Sequence, residues 1–248
     1  MTQTIDAAAF QQMVIHAAAS INAEKQQIND LNVFPVPDGD TGTNMSLTIG
    51  AAAIELKKNQ YATVGLAAKA AASALLRGAR GNSGVILSLL FRGFAKGIKE
   101  CETIDGRDLA IALDFGVAAA YKAVMKPAEG TILTVSRMAA ARAAGAARED
   151  NCLESVLQAA IEEGQIALDN TINQNPVLKK AGVVDAGGKG FLVILQGMLD
   201  EIRGVPMPQS EQEEESAPAD KADFAAMAAE DITFAFDTVF IVRKHTEN

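Results

Sequence analysis

Apolar residues recur with the period of an α-helix along most of the first 203 residues, and this pattern limits the possible folds more than any other feature. It begins in a segment from Ile5 to about Asp30. Seven similar segments follow, at about 44–58, 62–76, 83–99, 107–125, 131–147, 150–168 and 187–203. Short stretches with Gly, Pro, Asp or Asn separate them, as is typical of turns between helices. The pattern therefore predicts eight helices.

No segment before residue 204 alternates with the period of a strand, so the βαβ folds of the Rossmann and P-loop classes are not expected. The composition agrees with this, because 46 of the 248 residues are alanine and only 5% are aromatic. Such a composition favours closely packed helices over sheets. We therefore predict an all-α fold for residues 1–203.

The sequence changes character after residue 203. Residues 204–230 contain three prolines, and 209–230 carry seven acidic residues against one lysine, which is typical of a solvated linker. Residues 231–242 are rich in β-branched and aromatic side chains and predict a strand. A single strand is not stable alone, so it would pair with a partner chain or, as we prefer, begin a further domain. We expect a helical domain at 1–203, an acidic linker at 204–230 and a β segment at 231–248.

The charge and the cysteines exclude several classes of function. A net charge of −9 argues against a broad nucleic-acid-binding surface, which needs clustered lysine and arginine. Cys101 and Cys152 form no CxxC pair, and so few cysteines fit a reducing compartment. The sequence contains neither a recognisable signal peptide nor an apolar run of membrane-spanning length. We therefore expect a cytoplasmic protein without a membrane span, and homodimer formation stays open.

The stretch LNVFPVPDGDTGTNM, residues 31–45, is the most informative part of the sequence. Its prolines hold the chain extended, and its glycines allow a ligand to approach closely. Asp38 and Asp40 can converge on one side of the turn and share a divalent cation. The next helix begins here and favours anions, with polar groups from Thr41, Thr43 and Asn44. Because carboxylates repel phosphates unless a cation lies between them, the stretch predicts Mg²⁺ that bridges the two aspartates to a nucleotide.

Two other interpretations of this stretch deserve comparison. An EF-hand loop that begins at Asp38 would need Asp or Asn, Gly and Glu at its fifth, sixth and twelfth positions. The sequence has Gly42, Thr43 and Ile49 there, so this alternative fails. An Asp-rich turn that only caps a helix, with Thr43 as the N-cap, remains open.

Three further turns carry glycine and polar residues ahead of a predicted helix. In RGARGNSG, residues 77–84, Asn82 and Ser83 can present side chains and amides to a phosphate, although the lysine of a Walker A loop is missing. In DAGGKG, residues 185–190, Asp185 can accept a hydrogen bond from a ribose hydroxyl or a backbone amide. The third turn is Glu129-Gly130-Thr131. All three can be mere connections, but alternate loops of an up-and-down bundle would meet at one end.

The motifs NVFPVPDGDTGTNM, RGARGNSG, EGTILTV and VVDAGGKGF, in this order, resemble the dihydroxyacetone-kinase L-type nucleotide-binding domain over about residues 5–203. The likeness is greatest to the version at the N-terminus of the ATP-binding subunit of bacterial fatty acid kinases. It implies a barrel of eight antiparallel helices that binds ATP and two Mg²⁺ ions at one rim.

The resemblance also implies roles for individual residues. Asp38 and Asp40 match metal-binding aspartates and would be the catalytic residues, whereas a third acidic ligand of dihydroxyacetone kinases is replaced here by Asn32. The implied nucleotide contacts come from Thr41, Gly42, Thr43 and Asn44, from Asn82 and Ser83, from Gly130 and Thr131 on the adenine side, and from Asp185, Ala186 and Gly187 in the last loop.

The reaction that the resemblance implies is transfer of the γ-phosphoryl group of ATP to a fatty acid carboxylate, which a separate fatty-acid-binding protein presents. Residues 231–242 resemble the beginning of the middle domain that follows in that family. A carboxylate is already ionised at neutral pH, so the site would need positioning and charge neutralisation rather than a general base. Two alternatives stay open: a nucleotide subunit of the dihydroxyacetone kinase type acting on a triose, and a nucleotide-binding scaffold without catalysis.

Overall fold

The structure is a computed structural model that describes residues 2–209. Its helices are α1 (Ala7–Asp30), α2 (Thr41–Lys58), α3 (Val64–Gly78), α4 (Gly81–Gly97), α5 (Gly106–Ala123), α6 (Ile132–Glu149), α7 (Leu153–Asp169), α8 (Thr171–Gln174), α9 (Pro176–Ala181) and α10 (Ala186–Ile202). Within this range there is no strand, only an isolated antiparallel bridge between Ile5 and Ile104. The all-α prediction is confirmed, and the eight long helices correspond one to one to the eight predicted segments. The strand predicted at 231–242 and the linker beyond residue 209 lie outside the described residues.

Two short helices, α8 and α9, were not expected from the periodicity, because they have only 4 and 6 residues. Asn175 caps α9, and Pro176 occupies its first position, where the missing N–H costs nothing. Both helices lie in the connection between α7 and α10. None of the helices within residues 2–209 combines the length and apolarity that are needed to cross a bilayer.

The eight long helices form a closed ring. Each contacts the next along the chain from α1 to α7, while α10 contacts both α7 and α1. At one end of the ring, Ile5 exchanges two backbone hydrogen bonds with Ile104, and Val64 N–H donates to the Glu102 carbonyl. The N–H of Leu153 donates there to the Gln3 carbonyl. These bonds bring together the starts of α1, α3, α5 and α7, so the starts of the alternate helices lie at the other end.

Small residues let the helices approach closely. The most evident case is Gly93 on α4, where an added Cβ would lie 2.1 Å from the Phe115 carbonyl oxygen of α5. Alanines fill much of the core between larger side chains, and the rings of Phe10 and Phe94 stack with centroids 6.0 Å apart. Close packing of this kind, rather than bulky aromatic layers, gives the alanine-rich sequence its interior.

Candidate functional site

Two adjoining grooves lie at the rim where α2, α4, α6 and α10 begin. The first, of about 370 Å³, is called the polar groove and is lined by Asn32, Pro35, Val36, Asp38, Asp40, Thr41, Asn44, Gly81, Asn82, Ser83 and Val85. The second, of about 440 Å³, is called the apolar groove and is lined by Phe34, Pro35, Thr41, Asn82, Ser83, Val85, Ile86, Leu89, Ala123, Val124, Lys126, Ala128, Thr131, Ile132, Leu133, Asp185 and Gly187. They share five residues and therefore form one continuous depression. All four sequence motifs contribute to it.

The loop between α1 and α2 is held by the side chain of Asn32. Its Nδ2 donates to the Val36 carbonyl at 2.9 Å and to Asp38 Oδ1 at 2.6 Å, and its Oδ1 accepts a hydrogen bond from Thr41 Oγ1. The side chain is buried, so these bonds fix the loop rather than face solvent. One lone pair of Oδ1 remains for a further partner. Asn32 thus orients Asp38 toward the polar groove.

Asp40 precedes α2 as its N-cap residue, but its carboxylate does not cap the helix. The helix begins at Thr41, earlier than the start near residue 44 that periodicity predicts, so Thr41 to Asn44 form its first turn. The start of α4 after Arg80 also has no side-chain cap. The N–H groups of Thr41 on α2 and of residues 81–83 on α4 have no intrahelical partner, and these residues line the polar groove, an arrangement that favours anions.

The polar groove contains oxygen atoms that could bind a metal ion, but no basic side chain within residues 2–209 lines it. The carboxylates of Asp38 and Asp40 supply formal negative charge, and Asn82 and Ser83 add neutral polar groups from α4. No group of three or more His, Cys, Asp or Glu residues that could hold a metal ion occurs within residues 2–209. A cation in this groove would therefore be bound by two carboxylates together with neutral oxygens, water or an anionic ligand.

Gly42 and Thr43 face α1 rather than the grooves. A Cβ at Gly42 would lie 2.1 Å from the Lys25 carbonyl oxygen, so only glycine lets α2 approach α1 here. The Oγ1 of Thr43 accepts from Asn29 Nδ2 at 3.0 Å, and its N–H donates to Asn29 Oδ1 at 3.1 Å. A contribution of Gly42 to ligand binding would come from its backbone alone.

Thr48, which none of the motifs includes, joins the starts of α2 and α4. Its hydroxyl donates to the Asn44 carbonyl at 2.7 Å and accepts from the N–H of Arg80 at 3.1 Å. A Cβ at Gly84 would lie 2.4 Å from the same hydroxyl. The third glycine of RGARGNSG therefore serves close helix packing, which holds Asn82 and Ser83 beside the first motif.

The apolar groove is formed mainly by residues that sequence reasoning did not select. Phe34 comes from the first loop, Leu89 from α4, Val124 from the end of α5 and Ile132 from the start of α6. Leu89, Val124 and Ile132 fall in predicted helical segments, where no local signal separates them from core residues. Phe34 lies within the first motif, where the polar residues rather than this apolar side chain indicate a ligand. Lys126 is exposed, and it is the only basic side chain that lines this groove in the described part of the chain.

The start of α6 forms one wall of the apolar groove. Thr131 caps the helix by accepting from Leu133 N–H at 3.3 Å, and its hydroxyl donates to the Ala128 carbonyl at 2.8 Å. Gly130 has a φ of +72° and is buried behind Thr131 against the segment that holds α8. Thr131 thus lines the groove, whereas Gly130 shapes the turn.

Asp185 joins the starts of α6 and α10. Its Oδ2 accepts from Gly188 N–H at 2.7 Å, which caps α10, and the carboxylate also accepts from the N–H of Ile132. Burial raises the pKa of Asp185 to about 6, although the two backbone hydrogen bonds oppose this rise. Of its neighbours in the motif, Gly187 lines the groove and Ala186 is buried beneath it.

Comparison with known proteins adds three findings. A family model described as DAK2 domain matches residues 35–200. The chain is 43% identical over 246 residues to Protein YloV of Bacillus subtilis and 42% identical over 247 residues to a protein of Staphylococcus saprophyticus. These alignments cover 97% and 98% of this chain but 44% and 45% of the relatives, so the chain spans less than half of their length.

Among solved structures, the dihydroxyacetone kinase from C. freundii in complex with AMP-PNP and Mg²⁺ matches with a TM-score of 0.61 and 20% identity. The alignment covers 81% of this chain and 35% of that chain. The native form of the same enzyme matches with a TM-score of 0.57. At this identity the likeness shows a shared fold.

Proposed function

Because the chain belongs to the DAK2 domain family, we propose that residues 1–203 form the ATP- and Mg²⁺-binding domain of a kinase. The proposed acceptor is a fatty acid carboxylate that a separate fatty-acid-binding protein presents, and the product is an acyl phosphate. The convergence of four polar motifs on one continuous depression carries the proposal. Alternate connections of an up-and-down bundle meet at one end whatever their role, so the support comes from the glycine-containing polar residues that all four motifs bring to this depression.

The two grooves differ in character, and this difference supports one orientation of the nucleotide. The polar groove has two carboxylates and two helix starts whose N-cap side chains make no capping hydrogen bond, which suit Mg²⁺ and phosphates. The apolar groove is lined mainly by hydrophobic side chains, which suit a base, and Asp185 lies within it as a buried acceptor. We place the triphosphate over Asn82 and Ser83, and the base between Leu89 and Val124.

The residues present fit Mg²⁺. This ion prefers hard oxygen ligands and commonly uses one or two carboxylates together with waters and substrate phosphates. Asp38 and Asp40 supply the carboxylates, and the remaining lone pair of Asn32 Oδ1 is available as a neutral ligand. When bound, Mg²⁺ supplies the positive charge that brings phosphates beside two aspartates, and a second ion at the same site is part of the proposal.

The chain's own residues then have positioning roles. A fatty acid carboxylate is ionised at neutral pH, so the acceptor has no proton that a base must remove. The starts of α2 and α4 orient the phosphates through backbone N–H groups, while Asn32 keeps Asp38 in place. Alignment of the acceptor with the terminal phosphate depends on the partner protein, which explains why we expect little turnover from this chain alone.

A direct test begins with isothermal titration of the chain with MgATP. The wild type should bind, whereas Asp38→Ala and Asp40→Ala should each weaken binding by at least about tenfold, because each removes a carboxylate ligand of the ion. Asp30→Ala, a change at the exposed C-terminal end of α1, serves as the control and should bind normally. Normal MgATP binding by both aspartate variants would show that the site assignment is wrong.

The acceptor is tested with radiolabelled ATP and a purified fatty-acid-binding protein loaded with lipid. Formation of labelled acyl phosphate is expected. A second candidate function is phosphorylation of a triose of the dihydroxyacetone type, because the two solved structures described above are forms of a dihydroxyacetone kinase. Label transfer to dihydroxyacetone, and none to the fatty acid, would favour this second function. MgATP binding without transfer to either acceptor would favour a non-catalytic nucleotide-binding scaffold.

A further inference from the structure

A cluster of polar side chains lies behind the turn that closes the apolar groove. The turn joins α5 to α6 and contributes Lys126, Ala128 and Thr131 to the groove wall. The cluster consists of Tyr121 on α5, Glu129 in the turn, and Thr134 and Arg137 on α6. None of its four side chains lines either groove. The cluster can therefore affect a bound ligand only through the turn.

Glu129 is the common acceptor of the cluster. Its Oε2 accepts from Thr134 Oγ1 at 2.7 Å and from Arg137 Nη2 at 2.8 Å, and its Oε1 accepts from the Tyr121 hydroxyl at 3.3 Å. Arg137 Nε donates to the Tyr121 oxygen at 3.1 Å, which closes a ring of three side chains. The hydrogen bond from Thr134, followed by the contacts with Arg137, lowers the pKa of Glu129 against the effect of burial.

The cluster is connected to the main chain of the turn. Thr134 is almost completely buried, and its hydroxyl accepts from the N–H of Gly130 at 2.9 Å. The next residue, Thr131, is the helix cap that donates to the Ala128 carbonyl at 2.8 Å. Arg137 therefore holds Glu129, and Glu129 and Thr134 together hold the backbone that faces the groove.

We propose that Arg137 is a positioning residue for the nucleotide: through Glu129 it keeps the 126–131 turn in the conformation that closes the base end of the apolar groove. This inference rests on the proposed function, in which the base occupies that groove. If the turn leaves this conformation for part of the time, the apparent affinity falls in proportion to the remaining competent fraction. The phosphates bind elsewhere along the rim, so their contacts do not depend on the turn.

The test compares two ligands that share the phosphates but differ in the base. Arg137→Met keeps most of the apolar stem and removes the hydrogen bonds of the guanidinium group to Tyr121, Glu129 and the sulfur of Met138. We expect the Kd of MgATP to rise about three- to tenfold, as the loss of a half-exposed ion pair and its hydrogen bonds allows. The Kd of magnesium tripolyphosphate, which has no base, should stay within about twofold on the same reasoning. Arg137→Lys keeps the charge beside Glu129 and should recover part of the affinity for MgATP.

Arg142→Met is the matched control. Arg142 lies on the same helix, its side chain is 42% exposed compared with 44% for Arg137, and it pairs with Glu149 at 3.7 Å away from both grooves. This variant should bind both ligands like the wild type. Thermal unfolding of all variants, followed by circular dichroism, establishes that each is folded at the titration temperature.

The outcomes separate this inference from the function on which it rests. A wild-type chain that does not bind MgATP overturns the proposed function. A wild-type chain that binds MgATP while Arg137→Met binds it equally well overturns the positioning role alone. If Arg137→Met weakens the binding of MgATP and of magnesium tripolyphosphate equally, the positioning role is also overturned, because the effect would then be a general loss of structure.

Discussion

Asp185 offers a quantitative test of the structure, because a single buried carboxylate joins two helix starts at the rim. The substitution Asp185→Asn removes its titration but keeps an oxygen that can accept from Gly188 N–H, since Asn is as good an N-cap as Asp. The amide nitrogen of the new side chain is a poorer neighbour for the N–H of Ile132, so we expect some loss of stability at every pH. The informative quantity is how this loss changes with pH.

The magnitude follows from linkage. The pKa of Asp185 rises from 3.8 in the unfolded chain to about 6 in the folded protein, with burial as the main cause. Between these values the folded protein binds more protons than the unfolded chain, so the free energy of unfolding falls as the pH rises. A shift of about two pKa units corresponds to about 3 kcal/mol. The wild type should therefore lose about 3 kcal/mol relative to Asp185→Asn as the pH rises from below 4 to above 6.

Urea unfolding at a series of pH values measures this difference. The free energy of unfolding of Asp185→Asn is subtracted from that of the wild type at each pH, so distant carboxylates that titrate alike in both proteins cancel. The difference should decline steadily with rising pH and level off above about pH 7. A difference that stays constant, or that increases with pH, would refute the burial of a charged carboxylate at this position.

Asp105 provides a control, because its pKa is lowered in the folded protein and the stability should therefore change with pH in the opposite direction. It caps α5, and although burial raises its pKa, hydrogen bonds from the backbone of Asp108, from Asn151 and from the backbone of Arg107 outweigh this and lower it. Its contribution to stability is present above the unfolded pKa and is lost as the pH falls through the folded value. For Asp105→Asn, the wild type should therefore gain relative stability with rising pH through the acid range.

Two further predictions concern the first motif. Asn32→Asp replaces the amide that donates to Asp38 and to the Val36 carbonyl with a third carboxylate, so the free energy of unfolding should fall by about 1–3 kcal/mol without metal. Millimolar Mg²⁺ should recover part of this loss in thermal unfolding. Full stability without metal would contradict the role of these hydrogen bonds. Gly42→Ala should destabilise the chain by about 1–3 kcal/mol in urea unfolding, because its Cβ would meet the Lys25 carbonyl. Gly50→Ala on the same helix is the control: its Cβ would meet nothing within 4 Å, so it should stabilise the chain by about 0.5–1 kcal/mol.

The helices could be predicted from the sequence because their signal is local. A long amphipathic segment shows its period whatever it packs against, so all eight long helices were found. The apolar period predicts the start of α2 too late, since the first turn of this helix consists of Thr41 to Asn44, which carry no apolar period. The dipeptide Asn175-Pro176 was a usable signal for α9, because Asn is a good cap and Pro suits the first helical position.

The candidate site, like the helices, could be predicted only in part from the sequence. Polar residues at glycine-containing turns indicated the polar groove, because such residues have few structural reasons to occur together. The apolar groove could not be predicted, since its residues come from separate elements. Leu89 and Val124 resemble core residues in their helical segments, and Phe34 is an apolar residue within a polar motif. Likewise, nothing in the sequence distinguishes Gly42, which serves packing, from glycines that approach a ligand.

The charges at the rim lead to a last prediction. The two helix starts contribute roughly half a positive charge each, which does not balance the two formal negative charges of Asp38 and Asp40. Within residues 2–209, no basic side chain lines the polar groove. An ATP molecule brings about four more negative charges at neutral pH, so its phosphates would be repelled without a cation. The chain should therefore bind MgATP, and the Kd of ATP in excess EDTA should be at least about a hundredfold higher. Each tenfold rise in Kd requires only about 1.4 kcal/mol of repulsion.

The double variant Asp38→Asn/Asp40→Asn separates repulsion from ligation in this experiment. Without the two carboxylates, ATP in EDTA should bind more tightly than it does to the wild type, because the helix starts are no longer opposed. MgATP should bind more weakly, because the ion has lost its protein ligands. Isothermal titration of both proteins with both ligands gives the four dissociation constants. If the wild type binds ATP equally well with and without Mg²⁺, the charge argument is wrong, and the phosphates must lie away from Asp38 and Asp40.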